Sequence, residues 1–308
     1  MIDMKKSFKA RLIRDLRMHK YKYILVLPVV IYFILFHYKA MYGIVIAFQN
    51  YRPSRGIANS DWVGLKHFIS FFNDPFFGRL LKNTVTISFL GIVASFPAPI
   101  FLALLLNEVR VSWFKRLIQT ITYMPHFIAL VVVCGLITNY CQTNGVINDL
   151  IVALGGERSN LLMSSKNFYP ILILSDIWQG AGWGSIIYLA ALAGIDQEQY
   201  EAAKVDGAGR IRQMIYITLP GLLPVVSMML IMRMGSVLSV GSGKILLLYQ
   251  PVTYKVADVI STYVYRRGVL EGSYSFSTAV GLFNSVVNIL FLQAANKISK
   301  KLGQSGLF

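Results

Sequence analysis

The apolar residues of this 308-residue chain gather into long runs separated by short polar stretches. Six runs, at roughly residues 24–47, 84–106, 117–140, 168–192, 216–238 and 276–296, match the about 20 residues that a helix needs to cross a hydrocarbon core. The pattern predicts an all-α integral membrane protein with six transmembrane helices in one domain over residues 24–296. No internal repeat or low-complexity linker divides it. Pro97 and Pro99 in the second run, Pro125 in the third, and Pro220 and Pro224 in the fifth predict bent helices. Such bends are tolerated in a bundle where neighbouring groups satisfy the freed carbonyls.

Charge sets the orientation. Only 14% of residues are charged, against about 25% in a soluble domain. The net charge of +16 is no sign of nucleic-acid binding, because the basic residues flank the apolar runs as topology signals do. Residues 1–23 carry Lys5, Lys6, Lys9, Arg11, Arg14, Arg17, Lys20 and Lys22 and read as a basic cytoplasmic arm. The apolar run that follows is too long for a signal peptide, and no small-residue cleavage site follows it. With the N-terminus inside, 17 Lys/Arg lie in the arm, two short loops and the 297–308 tail, and 12 spread over longer outer loops. Arg233 is left within a span. The expectation is a multi-pass protein of the bacterial cytoplasmic membrane, in contact with lipid, with both termini cytoplasmic. Cys134 and Cys141 read as small apolar residues, and the four histidines show no metal-ligand spacing.

Between the fourth and fifth runs lies DQEQYEAAKVDGAGRIRQMIYITLPGLLP, Asp196 to Pro224. Asp196 is an N-cap, and Gln199 completes a capping box for a helix that runs to about Val205. Asp206-Gly207 reads as a turn, because glycine takes a left-handed conformation without steric cost. A second helix follows, with Ile211, Met214 and Ile215 on one face and Arg210, Arg212 and Gln213 off it. The element over 196–215 is a helix-turn-helix held at the membrane surface, suited to serve as a rigid handle for another protein.

These residues carry a resemblance. Glu201-Ala202-Ala203, Asp206-Gly207-Ala208, Ile217, Leu219-Pro220 and Pro224 resemble the EAA signature of membrane subunits of ABC importers, with Met214 where the family usually has an aromatic residue. The likeness extends over nearly the whole chain, through Trp62-Val63-Gly64-Leu65, Asn107-Glu108-Val109-Arg110, Tyr123-Met124-Pro125-His126-Phe127, Ser175-Asp176-Ile177-Trp178, Gly182 to Asp196 and Ala257-Asp258-Val259-Ile260. In these stretches the chain is similar to the polysaccharide-type permeases of carbohydrate ABC importers. The resemblance implies a type I importer permease fold and a second, related permease beside it. It also implies two copies of an ATPase below and an extracellular or periplasmic binding protein that delivers oligosaccharide. It implies that Glu201, Ala202, Ala203, Asp206, Gly207 and Ala208 form the contact with the ATPase. On the same footing ATP and Mg belong to that partner, this chain is not an enzyme, and transport proceeds by alternating access.

The rest of the chain fits a passive partner. Gly241-Ser242-Gly243-Lys244 resembles half a phosphate loop, but Leu238 and Ile245 stand where the full pattern needs Gly and Ser/Thr. It reads as a flexible turn at a helix end. Ionisable groups inside spans are costly and become functional candidates. Asp176, Gln179 and Trp183 share a helical face in the fourth span, with Tyr188 following. That face either lines a sugar path or makes interhelical hydrogen bonds. Arg233 either pairs with Asp176 or attracts an acidic sugar. In the outer loops, the aromatic run Trp62, Phe68, Phe71, Phe72, Phe76 and Phe77 reads as an interfacial helix or as a sugar-stacking surface. The loop at 239–275 either packs over the bundle or meets the binding protein. A membrane-embedded glycan-processing enzyme and a proton-coupled sugar carrier are the rival functions. No carboxylate pair, triad or nucleophile motif supports the first, and the EAA run favours an importer over both.

Overall fold

A computed structural model describes residues 15–304, 306 and 307, so residues 1–14 of the basic arm lie outside the described residues. Helix dominates. The described strands are β1 (Gln49–Asn50) and β2 (Asp61–Trp62), a short antiparallel pair. The principal helices are α1 (Lys20–Phe48), α2 (Lys66–Phe72), α3 (Phe77–Glu108), α4 (Ser112–Tyr123), α5 (Leu130–Cys141), α6 (Val146–Ala153) and α7 (Ser165–Ala193). They continue as α8 (Gln197–Val205), α9 (Arg210–Met234), α10 (Ser242–Leu248), α11 (Tyr254–Ala257), α12 (Ile260–Tyr265) and α13 (Tyr274–Lys301).

Five runs among the described residues are long and apolar enough to cross a membrane: α1, α3, Leu130–Ala153 (α5 with α6), α9 and α13. The 29-residue α7 is long enough, about 43 Å at 1.5 Å per residue. Asp176, Gln179 and a cluster of glycines make its middle too polar to qualify by hydropathy.

Two proline-bearing spans contain a π-turn, and a third is broken. A proline removes one helical donor and crowds the carbonyl four residues back. In α3 the strain is absorbed by a π-turn at Gly91–Ser95, just before Pro97. In α9 it is absorbed by another at Met214–Thr218, just before Pro220. The run 117–140 is not one bent helix. α4 stops at Tyr123, Met124–Phe127 tightens to 3₁₀ around Pro125, Ile128 and Ala129 are extended, and α5 starts afresh. The fifth span also ends early, at Met234, and residues 235–241 are non-helical. α4 meets α7 so closely that a Cβ on Gly182 would fall 1.9 Å from the Thr122 carbonyl oxygen.

The loops expected to lie outside pack onto the bundle. Phe71 is 1% exposed and clusters with Leu80, Ile260, Tyr263, Phe276 and Val280. Part of the aromatic run is therefore core, although Trp62, stacked on Phe48, stays exposed. In the loop 239–275, Asp258 is fully buried and accepts from Arg266 Nη1 at 3.0 Å, Arg266 Nη2 at 2.7 Å and the Thr262 hydroxyl at 2.8 Å. Arg79 stands 3.6 Å away. Asn83 of α3 donates to the Asp258 and Lys255 carbonyls, and Thr84 accepts from the Ile260 amide. Such an arrangement satisfies the loop's buried backbone as well as its charge.

Removing one partner of a buried ion pair leaves the other uncompensated and costs about 3–5 kcal/mol. Asp258→Ala therefore lowers the thermal unfolding temperature of the purified protein far more than Glu271→Ala, because Glu271 is exposed and its partner Arg267 only partly buried. Equal unfolding temperatures for the two variants contradict this account of the outer layer.

Candidate substrate cavity and coupling element

Three helix interruptions surround one cavity. The π-turn of α3, the break between α4 and α5, and the turn after α9 each supply part of its wall. It measures about 510 Å³ and is lined by residues that include Ser95, Pro99, His126, Asp176, Gln179, Arg233 and Gly241. Non-helical backbone at membrane depth must find partners, since lipid offers none. Here Asn288 of α13 supplies them: its Oδ1 accepts from the Leu238 amide at 2.9 Å, and its Nδ2 donates to the Ser239 hydroxyl at 2.9 Å. The Ser88 hydroxyl of α3 donates to the Val237 carbonyl.

Three of the expected path residues, Asp176, Gln179 and Arg233, line the cavity. Asp176 does not pair with Arg233. Its partner is Lys244, whose Nζ lies 2.6 Å from Asp176 Oδ1. The Gly241–Lys244 run is thus more than a flexible turn: it opens α10 and buries Lys244 to 7% exposure. Arg233 makes no ion pair among the described residues. Gly91 makes room for it, since a Cβ there would lie 3.0 Å from Arg233 Nη2. With Asp176 neutralised by Lys244, Arg233 is the charge left facing the cavity.

Trp183 reaches the cavity through a neighbour. Its indole stacks on His126 with ring centroids 4.8 Å apart and planes 2° from parallel, and Phe127 meets it edge-on. His126 lines the cavity and carried no functional expectation from sequence. Tyr188 departs from expectation. It is 3% exposed, packed with Ala103, Leu192 and Leu222, and does not line the cavity.

The helix-turn-helix at residues 196–215 is built by local chemistry. Asp196 caps α8 as predicted, but its Oδ1 accepts from the Glu198 amide at 3.0 Å, and the reciprocal Gln199 bond of a capping box is not made. Gly207 sits at φ +76°, in the left-handed region. The Gly207 amide donates to Lys204 O and the Ala208 amide to Ala203 O, the paired bonds of a Schellman termination. Glu201, Ala202, Asp206 and Gly207 are exposed, Ala203 and Ala208 partly so, and no residue of α8 is buried. Val205 is 88% exposed at the tip. The element is nevertheless tied to the bundle. The Tyr200 and Thr218 hydroxyls lie 3.0 Å apart, Gln213 Nε2 donates to the Ala208 carbonyl, and Ile195 fills the space beside Gly221.

Residues 95–303, which hold both the cavity and the helix-turn-helix at 196–215, match the family model described as "Binding-protein-dependent transport system inner membrane component". The chain is 47% identical over its whole length to 96% of the polygalacturonan/rhamnogalacturonan transport system permease protein YteP of Bacillus subtilis (strain 168). It is 46% identical to protein LplB of the same organism, over 98% of this chain and 94% of that one. Among solved structures it matches a chain of the bacterial alginate ABC transporter in complex with alginate pentasaccharide-bound periplasmic protein, with TM-score 0.89 and 41% identity. That match covers 96% of this chain and 100% of that one. A helical bundle with long apolar runs is what such a subunit requires, and this chain belongs to the family of binding-protein-dependent transport system inner membrane components, as a non-catalytic permease subunit of an ABC importer.

Proposed function

We propose that this permease subunit carries fragments of acidic polysaccharides through the cavity at the helix breaks, with Arg233 receiving a sugar carboxylate. The single observation behind this reading is the cavity's charge: Arg233 lines it without an ion-pair partner, while Asp176 is already paired with Lys244. A guanidinium presents a planar fork of donors that fits a carboxylate. The stacked His126–Trp183 pair offers an aromatic wall, and Gln179 an amide for hydroxyls. The polymers named for the relatives, polygalacturonan and the acidic polysaccharide alginate, carry that charge.

In this reading α7 is the sixth span, both termini are cytoplasmic, and α8 docks on an ATPase through Glu201, Ala202, Ala203, Asp206, Gly207 and Ala208. A related permease covers α1, whose apolar stretch has no buried share within this chain. α9 starts at the coupling turn and ends beside Arg233, so a displacement of α8 reaches the cavity along one helix of 25 residues. ATP binding and hydrolysis in the partner then switch the bundle between outward and inward states by rigid-body movement.

Uptake of labelled oligouronides into proteoliposomes holding the assembled importer tests the substrate. Arg233→Gln is expected to reduce transport of the acidic fragment by about tenfold or more, the worth of a charge-assisted hydrogen bond. It should leave transport of the carboxyl-reduced fragment within about twofold of wild type. Equal losses for both sugars contradict a carboxylate contact. Gly207→Leu tests the handle. A branched residue resists the left-handed conformation by about 1–2 kcal/mol. The variant should insert and assemble normally yet lose substrate-stimulated ATPase activity, and normal stimulation in the assembled variant counts against the coupling role.

A further inference from the structure

A second polar cavity, of about 450 Å³, opens beside the coupling element, well away from the substrate cavity. It is bounded by the end of α3 (Asn107, Glu108), the following Arg110, the inner side of α8 (Tyr200, Lys204) and the start of α9 (Arg210, Gln213). Three cations, Arg110, Lys204 and Arg210, face one acid, Glu108. None of the three forms an ion pair among the described residues. Like charges gathered around one space repel, and an anion between them removes that cost.

We propose that this groove binds a phosphate group and that occupancy fastens α8 to the ends of α3 and α9. Two guanidinium groups from different segments match the acceptor oxygens of a phosphate, which they bind in forked pairs. The same ligand chemistry comes from an anionic phospholipid headgroup or from a free phosphate in the cytoplasm. Neighbouring residues fit the headgroup source. Directly after Arg110, α4 begins with exposed Trp113 and Phe114, followed by Lys115 and Arg116. Aromatic and basic residues side by side at a span's cytoplasmic end are headgroup ligands. The consequence is regulatory: α3 and α9 both contribute to the substrate cavity, through Ser95 and Arg233, so a ligand bridging their inner ends to α8 stiffens the route between handle and cavity.

The test uses the assembled importer, stripped of bound lipid. It is titrated with phosphatidylglycerol in phosphatidylcholine nanodiscs and, separately, with inorganic phosphate. Thermal unfolding and native mass spectrometry report saturable binding. Wild type is expected to bind at least one of the two. Arg110→Gln with Arg210→Gln should weaken that binding by at least about tenfold, as expected for lost charge-assisted bonds. Arg110→Lys should retain part of it. Lys297→Gln with Lys301→Gln, an equal loss of charge elsewhere on the expected cytoplasmic side, should bind as wild type does. Binding of the lipid alone assigns a headgroup site, and binding of inorganic phosphate assigns a soluble ligand. The proposal is overturned if neither binds saturably, if the Lys297/Lys301 control weakens equally, or if the arginine variant instead sheds its ATPase subunits. The last result would make the groove a protein interface.

Discussion

A peptide group inside a membrane must be hydrogen-bonded, because an unsatisfied one costs several kcal/mol and lipid supplies no partner. Continuous helix meets that demand at no cost in side chains. Every interruption of a helix has to be met by a polar residue brought from elsewhere. This chain interrupts its helices around one cavity and uses side chains to meet the consequences. Asn288 and Ser88 hold the turn after α9, while Asn83 and Thr84 hold the loop that leads into α12. An uninterrupted bundle would leave no wall of turns and exposed side chains around the cavity.

The charges obey a similar rule. A buried ion is tolerated when it is paired and hydrogen-bonded. Asp258 meets two arginines and a threonine hydroxyl, and Asp176 meets Lys244. Arg233 lines the cavity, is exposed, and has no ion-pair partner among the described residues. It leaves one unpaired positive charge among the cavity's lining residues.

Features set by neighbours in sequence were legible before the fold was known. The Asp196 cap and the Gly207 turn depend on a few adjacent residues, and both stand where the pattern put them. The ends of α8 follow from them. The long apolar runs likewise announced their helices. Features that depend on remote partners were not legible. Asp176 and Lys244 are 68 residues apart, so the carboxylate's partner was sought in Arg233, the other ion in a span. His126 gains its place only because α7 brings Trp183 against it. Tyr188 lies on the same helix as Asp176, yet a few residues further along its ring faces α3 and α9 and becomes core. The proline in the third span was visible, but whether a proline bends a helix or breaks it depends on surrounding contacts. Here Gly182 brings α7 against the end of α4, and the break follows immediately.

Sugar that passes through the cavity at the helix breaks must cover the residues that line it. The most direct measurement is chemical labelling of a cysteine placed at Gln179, in the importer reconstituted with its binding protein, with the buried native Cys134 and Cys141 replaced. A cysteine at exposed Leu290 on α13, away from the cavity, serves as control. Saturating acidic oligosaccharide during ATP turnover should slow labelling at 179 several-fold and leave position 290 unchanged. Labelling at 179 that ignores the sugar, while transport proceeds, would mean that the cargo takes another route.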